Sequence, residues 1–334
     1  MQTDLIKWFD NHQRFLPWRS TKDPYAIWLS EIILQQTRID QGLEYWEIFL
    51  KKFPTVKSLS KAKESEILAL WSGLGYYSRA RNIYQAAQIV VSKFQSEFPK
   101  TSSELLKLPG VGPYTAAAIS SICFGEVSPA LDGNAFRVYS RLFAISSPIE
   151  KKSTIKEISA LALPLLSKKR PGDSNQAIMD IGSTICKPKK PNCPACPFEE
   201  NCISRRSGNQ HNFPVKLKSI KIKEVDKFYV FLRKNDKYGF TLRPKTGIWG
   251  GLWTPLELNF EDWELAKKSK NIQKGNIKYQ KHLLTHRKMN LYFSDWTGEI
   301  YPKNEEIQWF SNQDLKRLAF PAPILKILNE KSYI

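Results

Sequence analysis

Two acidic residues stand at positions from which the chain could present them to a common substrate. Glu31 lies on a predicted helix, at the edge of its apolar face, in the segment Trp-Leu-Ser-Glu-Ile-Ile-Leu. Asp132 lies between a leucine and a glycine, where a short turn can hold a carboxylate. Two carboxylates in different surroundings can divide proton donation and charge stabilisation between them. Spacing alone leaves simpler alternatives open, namely a solvated helical glutamate and a helix-capping aspartate.

Four of the five cysteines form a second cluster that could do chemistry. Cys186, Cys193, Cys196 and Cys202 follow the spacing C-x6-C-x2-C-x5-C within seventeen residues. Four thiolates could bind zinc, but common zinc patterns pair two C-x2-C knuckles, and only one close pair occurs here. The uneven spacing favours a [4Fe–4S] cluster. The fifth cysteine, Cys123, is predicted to be a small buried residue in an apolar helix.

The composition indicates a folded protein that binds a polyanion. The chain has 334 residues, enough for two domains, and a net charge of +19 that points most simply to nucleic acid. It contains no apolar run of about 18 residues that could cross a bilayer. The N-terminus lacks the layout of a secretory signal. We therefore expect a cytoplasmic, nucleoid-associated protein with no membrane partner.

A glycine-rich turn joins two helical segments near the middle of the chain. Gly110 and Gly112 flank one valine, and Pro113 is well placed to open the second helix. Glycine tolerates positive φ and lets the backbone approach another molecule closely. The free N–H groups at the helix start form an anion site, so we predict that this turn binds a DNA phosphate. A plain helix hairpin is the alternative.

Helices must position these groups, because apolar residues recur at helical spacing through the first two thirds of the chain. Residues 1–204 are predicted to form an all-α domain. The predicted helices span 4–15, 24–38, 40–52, 64–72, 79–94, 102–108, 113–124, 134–144, 153–167 and 173–186. Glu31 belongs to the second of these helices, and Asp132 directly precedes the helix 134–144.

The composition changes after the cysteines. Residues 205–223 are predicted to be an exposed basic linker, and residues 224–334 a smaller α+β domain. Its predicted strands span 228–233, 238–243 and 289–296, and its predicted helices span 261–269, 312–318 and 323–331.

Several of these motifs together resemble a known family. The string Leu-Pro-Gly-Val-Gly-Pro-Tyr-Thr-Ala, followed by Asp-Gly-Asn, resembles the helix-hairpin-helix DNA glycosylase superfamily, which includes endonuclease III and the MutY-type adenine glycosylases. The cysteine spacing is similar to the iron–sulfur loop of that group, which implies a [4Fe–4S] cofactor. Leu-Pro-Trp-Arg at 16–19, Gln-Gln-Thr at 35–37 and Gly-Leu-Gly-Tyr-Tyr at 73–77 resemble the MutY-type branch.

The resemblance implies removal of adenine mispaired with 8-oxoguanine or guanine in double-stranded DNA, by a monomer. Glu31 would be the acid that protonates the adenine ring, with its pKa raised to roughly 6 by a flank of Trp28 and Ile32. Asp132, held by Asn134 and backbone N–H groups, would stay ionised and stabilise the sugar cation.

Position 114 predicts the type of reaction. The lyase branch, which resembles endonuclease III, has a lysine there that forms a Schiff base with the sugar. Tyr114 has no imine chemistry, and Lys107 lies before the turn. The sequence therefore predicts a monofunctional glycosylase that uses water as its final nucleophile.

The resemblance also implies which residues contact the extruded base and its surroundings. Five side chains are implied to contact the adenine: Arg14, Leu16, Trp18, Ile39 and Gln176. Gln36 and Tyr76 are implied to wedge into the base stack. For Trp18 and Ile39, ordinary core packing is the alternative.

The C-terminal domain resembles the Nudix-like domain of MutY-type enzymes, which reads 8-oxoguanine through a Phe-Ser-His hairpin. The matching residues are Leu284, Thr285 and His286, so leucine replaces the aromatic wedge. A Nudix hydrolase needs a glutamate-rich helix to hold Mg²⁺, and Glu-Asp-Trp-Glu at 261–264 is too sparse for that. We therefore expect a lesion-binding domain without hydrolase activity.

Two other functions remain open from the sequence. One is a bifunctional endonuclease III-like glycosylase and lyase that acts on oxidised pyrimidines. The other is a catalytically idle iron–sulfur protein that only binds DNA.

Overall fold

The structure is a computed structural model that describes residues 1–217, 222–284, 287–298 and 306–333. The chain forms two compact units, one from Met1–Lys61 and Asn82–Lys218, the other from Ala62–Arg81 and Ser219–Ile334. No helix among the described residues is long and apolar enough to span a membrane. The domain limits expected from the sequence, at 204 and 224, stay a prediction.

The first unit is helical, as predicted. Its helices, in chain order, are α1 (Gln2–His12), α2 (Pro24–Ile33), α3 (Ile39–Lys52), α4 (Val56–Ser60), most of α6 (Ser78–Lys93), α7 (Ser102–Leu105), α8 (Pro113–Phe124), α9 (Gly133–Leu142), α10 (Lys152–Ala162), α11 (Pro171–Asp180) and α12 (Ile203–Arg206). Helix α5 (Glu64–Leu70) lies between α4 and α6 in the sequence but belongs to the second unit.

Helix α2 begins as the sequence predicts but ends five residues early. Asp23 accepts a hydrogen bond from the N–H of Tyr25 and Pro24 occupies the first helical position, which together start the helix. The helix stops at Ile33 rather than Arg38. Gln36 has φ of 59°, a left-handed conformation that cannot continue a right-handed helix. The predicted helical position of Gln36 is therefore wrong.

Other helices are shorter than predicted for reasons visible in the sequence. Helix α7 ends at Leu105, not 108, because Pro109 disfavours helical backbone in the residue before it. Helix α10 ends at Ala162, and a 3₁₀ turn containing Pro164 follows. The predicted helix 173–186 is α-helical only to Asp180 and continues as the π-helical turn Ile181–Ile185.

The core of the helical unit lies among α1, α9, α10 and α11. Buried Phe9, Tyr139 and Ile178 represent the apolar faces that meet there. Close helix approach depends on Gly172, where an added Cβ would lie 2.6 Å from the Cα of Ile122 on α8. Because α11 and α8 can approach so closely, side chains of α11 reach the space in front of α2.

The second unit contains a mixed sheet with helices on it. Its strands are β1 (Lys223–Lys234), β2 (Lys237–Leu242), β3 (Trp253–Thr254), β4 (Leu256–Leu258), β5 (Lys278–Leu284), β6 (Arg287–Asp295) and β7 (Gln308–Phe310). The strand order is β3-β2-β1-β6-β5, with β4 paired to β1 and β7 paired to β2. Strands β1 and β6 are parallel, and the other pairs are antiparallel.

Alternate residues of β1 enter two different cores. Tyr229 and Phe231 pack with the C-terminal helix α15 (Ala322–Glu330), which follows the short helix α14 (Asn312–Leu315). Val230 and Leu232 pack with α13 (Phe260–Lys268). This period of two is what a strand covered on both faces requires. The predicted α+β class is confirmed.

The segment 62–81 packs within the second unit, although it is far from the sheet in sequence. The buried hydroxyl of Tyr77 donates to the carbonyl of Phe320 at 2.6 Å. The guanidinium of Arg81 donates to the carbonyl of Gly250 and forms an ion pair with Glu64 at 3.5 Å. Helix α5 and the turn after it are thereby held against residues of the C-terminal part of the chain.

Candidate active site

Glu31 and Asp132 line the same cleft of about 190 Å³ in the helical unit. Glu31 is contributed by α2, and Asp132 is the residue that caps α9. The two residues are 101 positions apart, so only the packing of the helices brings them together. Seven further residues singled out from the sequence line this cleft: Arg14, Leu16, Trp18, Ile39, Tyr114, Asn134 and Gln176.

Burial raises the pKa of Glu31 to about 7, which is the largest effect on this carboxyl. The negative charge of Asp132 acts in the same direction. A hydrogen bond from Tyr114 and the positive charge of Arg19 act against it, because both favour the carboxylate. A carboxyl with this pKa is partly protonated near neutral pH and can donate a proton.

The apolar side chains around Glu31 are not those expected from the sequence. Trp28 is fully buried and meets the ring of Phe98 at 5.4 Å between centroids, so it belongs to the core behind the helix. The cleft is lined instead by Ile27, Leu34 and other residues. These two lie four residues before and three after Glu31, and positions so spaced share a helix face.

Asp132 is held by its own helix and by a neighbouring amide. One carboxylate oxygen accepts the N–H of Ala135 at 2.7 Å, and the other accepts the amide of Asn134 at 2.9 Å. Arg137 donates to the amide oxygen of Asn134 at 2.8 Å, which leaves the amide nitrogen facing Asp132. Asp132 therefore has one amide and one backbone N–H as hydrogen-bond donors.

Tyr114 occupies the position at which a lyase would carry lysine. Its hydroxyl hydrogen-bonds Glu31 and lies 3.6 Å from the sulfur of Met179. Burial and the nearby carboxylates raise its pKa well above the ordinary value. Among the described residues, the cleft lining includes no lysine, and Lys107 is exposed in the turn before α8.

The cleft lining contains two arginines and several apolar side chains, one of which also belongs to the core. Trp18 meets Trp46 edge-on at 5.7 Å between ring centroids and also lines the cleft, so it is both core and lining. Arg19 and Thr37 also line the cleft and belong to the motif strings 16–19 and 35–37, whereas five lining residues were not singled out from the sequence: Ile27, Ser30, Leu34, Ile122 and Met179. The helical spacing of Ile27, Ser30 and Leu34 around Glu31 was the available signal.

Asp180 is a further residue that the sequence analysis missed. Its buried carboxylate accepts hydrogen bonds from Arg14 and Arg19, both of which line the cleft. A lone acid inside the apolar run Ala-Ile-Met-Asp-Ile-Gly was the signal, since a buried carboxylate requires a partner.

Gln36 and Tyr76, the two expected wedge residues, are both exposed and both have positive φ, 59° and 47°. Gln36 is in the turn after α2. Tyr76 is in the second unit, where the guanidinium of Arg79 lies 5.8 Å from the centroid of its ring. Backbone strain of this kind in a non-glycine residue is typical of functional turns.

The glycine turn has the backbone that the sequence predicts. Gly110 has φ of 78°, and Gly112 caps α8, with Pro113 at the first helical position. An added Cβ on Gly110 would lie 2.7 Å from the Cβ of Asn82, whereas one on Gly112 would meet nothing within 4 Å. There is therefore free space beside Gly112 at the start of α8, as an anion site at a helix N-terminus requires.

All four clustered cysteines line one small cavity. Arg141 donates to the sulfur of Cys186 at 3.3 Å and to the carbonyls of Lys187 and Pro188 at 2.8 and 2.9 Å. Among the described residues, no three His, Cys, Asp or Glu side chains stand ready to hold a metal ion. The fold thus brings the four thiols to the lining of one cavity.

Of the expected lesion-reading residues, only Leu284 can be located. It ends β5, opposite Arg287 of β6, and packs half-buried against the core under α15. Thr285 and His286 lie outside the described residues.

Comparison with known proteins identifies two family models in the chain. Residues 29–163 match the HhH-GPD superfamily of base excision DNA repair proteins, and residues 228–330 match the NUDIX domain. The chain is 34% identical to the adenine DNA glycosylase of Buchnera aphidicola subsp. Schizaphis graminum, covering 97% of this chain and 96% of that protein. It is 31% identical to the enzyme of that name from Schizosaccharomyces pombe, covering 94% and 86%.

Solved structures agree with the helical fold. The chain resembles a thermostable thymine-DNA glycosylase with a TM-score of 0.57 and 29% identity, covering 62% of this chain and 95% of that chain. An endonuclease III–DNA complex gives a TM-score of 0.53 at 22% identity, covering 62% and 94%, which supports the fold alone.

Proposed function

This chain belongs to the adenine DNA glycosylase family of the HhH-GPD superfamily, and from that premise we propose that it excises adenine mispaired with 8-oxoguanine or guanine. It is a DNA repair protein that hydrolyses N-glycosyl bonds. The proposed substrate is double-stranded DNA, bound by a monomer. The observation that carries the proposed mechanism is one cleft lined by two carboxyls, one of them with a pKa of about 7.

In the proposed reaction, Glu31 is the general acid. The target adenine leaves the base stack and enters the cleft. Protonated Glu31 donates to a ring nitrogen of adenine, which makes the base a better leaving group. The glycosidic bond then breaks, its electron pair leaves with the base, and a cation develops on the sugar. Water adds to that cation and returns a proton to the carboxylate of Glu31.

We propose that Asp132 stabilises the sugar cation, since its fixed negative charge needs no reorganisation during the reaction. Asn134 keeps this carboxylate in place through the hydrogen bond already described. Tyr114 supports Glu31 through its hydroxyl and supplies no amine. The reaction therefore ends with an abasic site and intact strands.

The remaining site residues contribute recognition in this proposal. Arg14, Leu16, Trp18, Ile39 and Gln176 would enclose the adenine, and Gln36 and Tyr76 would fill the stack. Gly110 and Gly112 would bind a phosphate through backbone N–H groups. Leu284, Thr285 and His286 would read the lesion opposite the adenine, with weaker stacking than an aromatic residue provides.

The cysteine cavity fits a thiolate-bound [4Fe–4S] cluster, which we propose as the cofactor. Four thiols at one cavity are the donor set that such a cluster requires, and the guanidinium of Arg141 beside Cys186 offsets anionic charge. The cluster would supply a structural crosslink for the loop 187–202. Cys186, Cys193, Cys196 and Cys202 would hold it.

The test is base release from three duplexes, carrying adenine opposite 8-oxoguanine, adenine opposite guanine, and an oxidised pyrimidine. We expect adenine release from the first two. Glu31→Gln should lower the single-turnover rate at least about 1,000-fold with duplex affinity nearly unchanged, because only the acid is lost.

Two results would contradict this proposal. Efficient trapping of the enzyme on DNA by borohydride would indicate a Schiff base and a lyase. Unchanged base release in Glu31→Gln would indicate that this cleft does not catalyse base excision. Glu157→Gln, an exposed glutamate on α10, is the matched control.

A further inference from the structure

The Asp180 side chain is completely buried, and its carboxylate accepts hydrogen bonds from two arginines, Arg14 and Arg19. One oxygen accepts from Nε of Arg14 at 2.6 Å and from Nη2 of Arg19 at 3.0 Å. The other accepts from Nη1 of Arg19 at 2.7 Å and from the backbone N–H of Arg14 at 3.2 Å. Four N–H donors therefore converge on one carboxylate.

This carboxylate fixes two residues of the cleft wall. Arg19 binds it with both terminal nitrogens, the planar two-bond geometry that orients a guanidinium most strictly. Nη1 of Arg19 also donates to the carbonyl of Arg14 at 3.1 Å, so the two arginines form one unit. Asp180 is itself the last residue of α11, which also carries Gln176 and Met179 of the cleft lining.

The charges make this arrangement significant for Glu31. The charged or titratable groups that line the cleft with it are Arg14, Arg19, Tyr114 and Asp132. A positive charge at Arg19 favours the carboxylate form of Glu31, which cannot act as an acid. Arg14 and Arg19 face Asp180, whose negative charge reduces the positive field that reaches Glu31.

We propose that Asp180 is a positioning residue for the reaction: it holds Arg14 and Arg19 in the cleft wall and offsets their charge, so that Glu31 can remain protonated. This inference rests on the proposed function only for its kinetic consequence. The placement of the arginines and the protonation of Glu31 are properties of the protein without DNA.

The first test measures Glu31 directly in the free protein. Infrared difference spectra would follow the protonated carboxyl band that is lost in Glu31→Gln. In Asp180→Asn the titration midpoint of this band should fall by about one pH unit, because two guanidiniums lose their counter-charge. Asp173→Asn, which removes an ion-pairing acid on the outer side of α11, should leave it unchanged. An unchanged midpoint in folded Asp180→Asn overturns the proposal.

Arg19→Gln gives an independent result if Asp180→Asn does not fold. With Asp180 still paired to Arg14, removal of the Arg19 charge should raise the Glu31 midpoint. A midpoint that stays or falls in Arg19→Gln contradicts the charge balance proposed here.

The kinetic test separates positioning from plain structural support. Single-turnover adenine release by Asp180→Asn should fall about fivefold further at pH 8 than at pH 6, relative to the native chain. A loss equal at both pH values would mean that Asp180 only supports the fold, which also contradicts the proposal. If the native chain released no adenine, the proposed function would fail, while the spectra would still decide the role of Asp180.

Discussion

At the scale of single residues, the proposed reaction depends on the contrast between two carboxyls. Glu31 is enclosed by side chains and has a pKa of about 7, whereas Asp132 accepts hydrogen bonds from an amide and from a backbone N–H. Burial disfavours a charged carboxyl, and donated hydrogen bonds favour one. The same functional group is therefore prepared for two different tasks by its neighbours.

Adenine release should depend on pH through Glu31. We expect a constant single-turnover rate below the pKa and a tenfold loss per pH unit above about 7, since only the protonated form donates. The measurement is the rate of base release from a preformed complex between about pH 5 and pH 9. A rate that stayed constant up to about pH 9 would show that Glu31 is not the acid.

The stability that this residue contributes should also fall with rising pH, but over a lower pH range. The folded pKa of about 7 lies above the unfolded value near 4.5, so the native state holds the proton longer as pH rises. Stability due to this group is present below about pH 4.5 and is lost progressively up to about pH 7.

Glu31→Gln should therefore raise the free energy of unfolding at pH 8 by roughly 1–3 kcal/mol. It should change little at pH 5. Urea unfolding at the two pH values measures this, with Glu157→Gln as the exposed control. A gain of equal size at both pH values would exclude ionisation of Glu31 as its cause.

At the scale of elements, short turns present the functional groups and helices fix the turns. The glycine turn before α8, the capped start of α9 and the π-helical turn after α11 each end at a residue of interest. In the last case Asp180 begins the turn and Cys186 follows it. The cleft wall and the cysteine cavity are thus joined by five residues of backbone.

Two glycine substitutions should separate folding from DNA binding. Gly110→Ala places a side chain at φ of 78° and 2.7 Å from the Cβ of Asn82, and should cost roughly 1–3 kcal/mol of stability. Gly112→Ala has ordinary backbone and open space, so stability should change by less than about 0.5 kcal/mol. The duplex affinity of Gly112→Ala should fall, because the new methyl group would occupy the proposed phosphate site.

Thermal unfolding and duplex binding measured on both variants test this contrast. Normal DNA affinity in Gly112→Ala would show that the turn is only a connection between helices.

The order of the cysteine loop should depend on the proposed [4Fe–4S] cluster. Cys196→Ser should abolish the visible absorbance of a [4Fe–4S] cluster and make residues 187–202 susceptible to protease, since metal binding orders such loops. Cys123→Ser is the matched control, because Cys123 lies in α8, away from the four cysteines that line the cavity, and burial raises its pKa to about 12. If the native protein bound iron and residues 187–202 were still cleaved by protease, the cluster would not have the structural role proposed for it.

At the scale of the whole molecule, the two compact units do not follow the order of the chain. Residues 62–81 belong with the C-terminal residues, held by the bonds from Tyr77 to Phe320 and from Arg81 to Gly250. An added Cβ on Gly251 would lie 2.7 Å from a terminal nitrogen of Arg81, so the Arg81 side chain packs closely against the backbone at Gly251. Tyr76 is therefore carried by a segment that needs the C-terminal unit.

A chain that ends at residue 217 should expose this segment. Tyr77 and Arg81 would lose the partners described, so trypsin should cleave after Arg79 or Arg81 faster than in the full chain. Limited proteolysis with identification of the first cuts measures this. The full chain with Tyr77→Phe should show an intermediate rate, because one buried bond is lost. Equal cleavage of truncated and full chains would contradict the assignment of this segment to the second unit.

The sequence by itself determined the two fold classes and the residue types of the cleft. Helical periodicity, the proline and glycine positions and the alternation in β1 are local signals, and local physics is sufficient to interpret them. The motif strings also led to Arg14, Trp18, Tyr114 and Gln176. All of these line the cleft with the two carboxyls.

Only the tertiary structure decided which surfaces meet. The early end of α2 at Gln36, the wall formed by Ile27 and Leu34, and the placement of residues 62–81 in the second unit all depend on contacts distant in sequence. The bond network of Asp180 depends on such contacts too, since its partners precede it by more than 160 residues. Burial sets the pKa of Glu31, and burial is a property of packed neighbours that no short stretch of sequence contains.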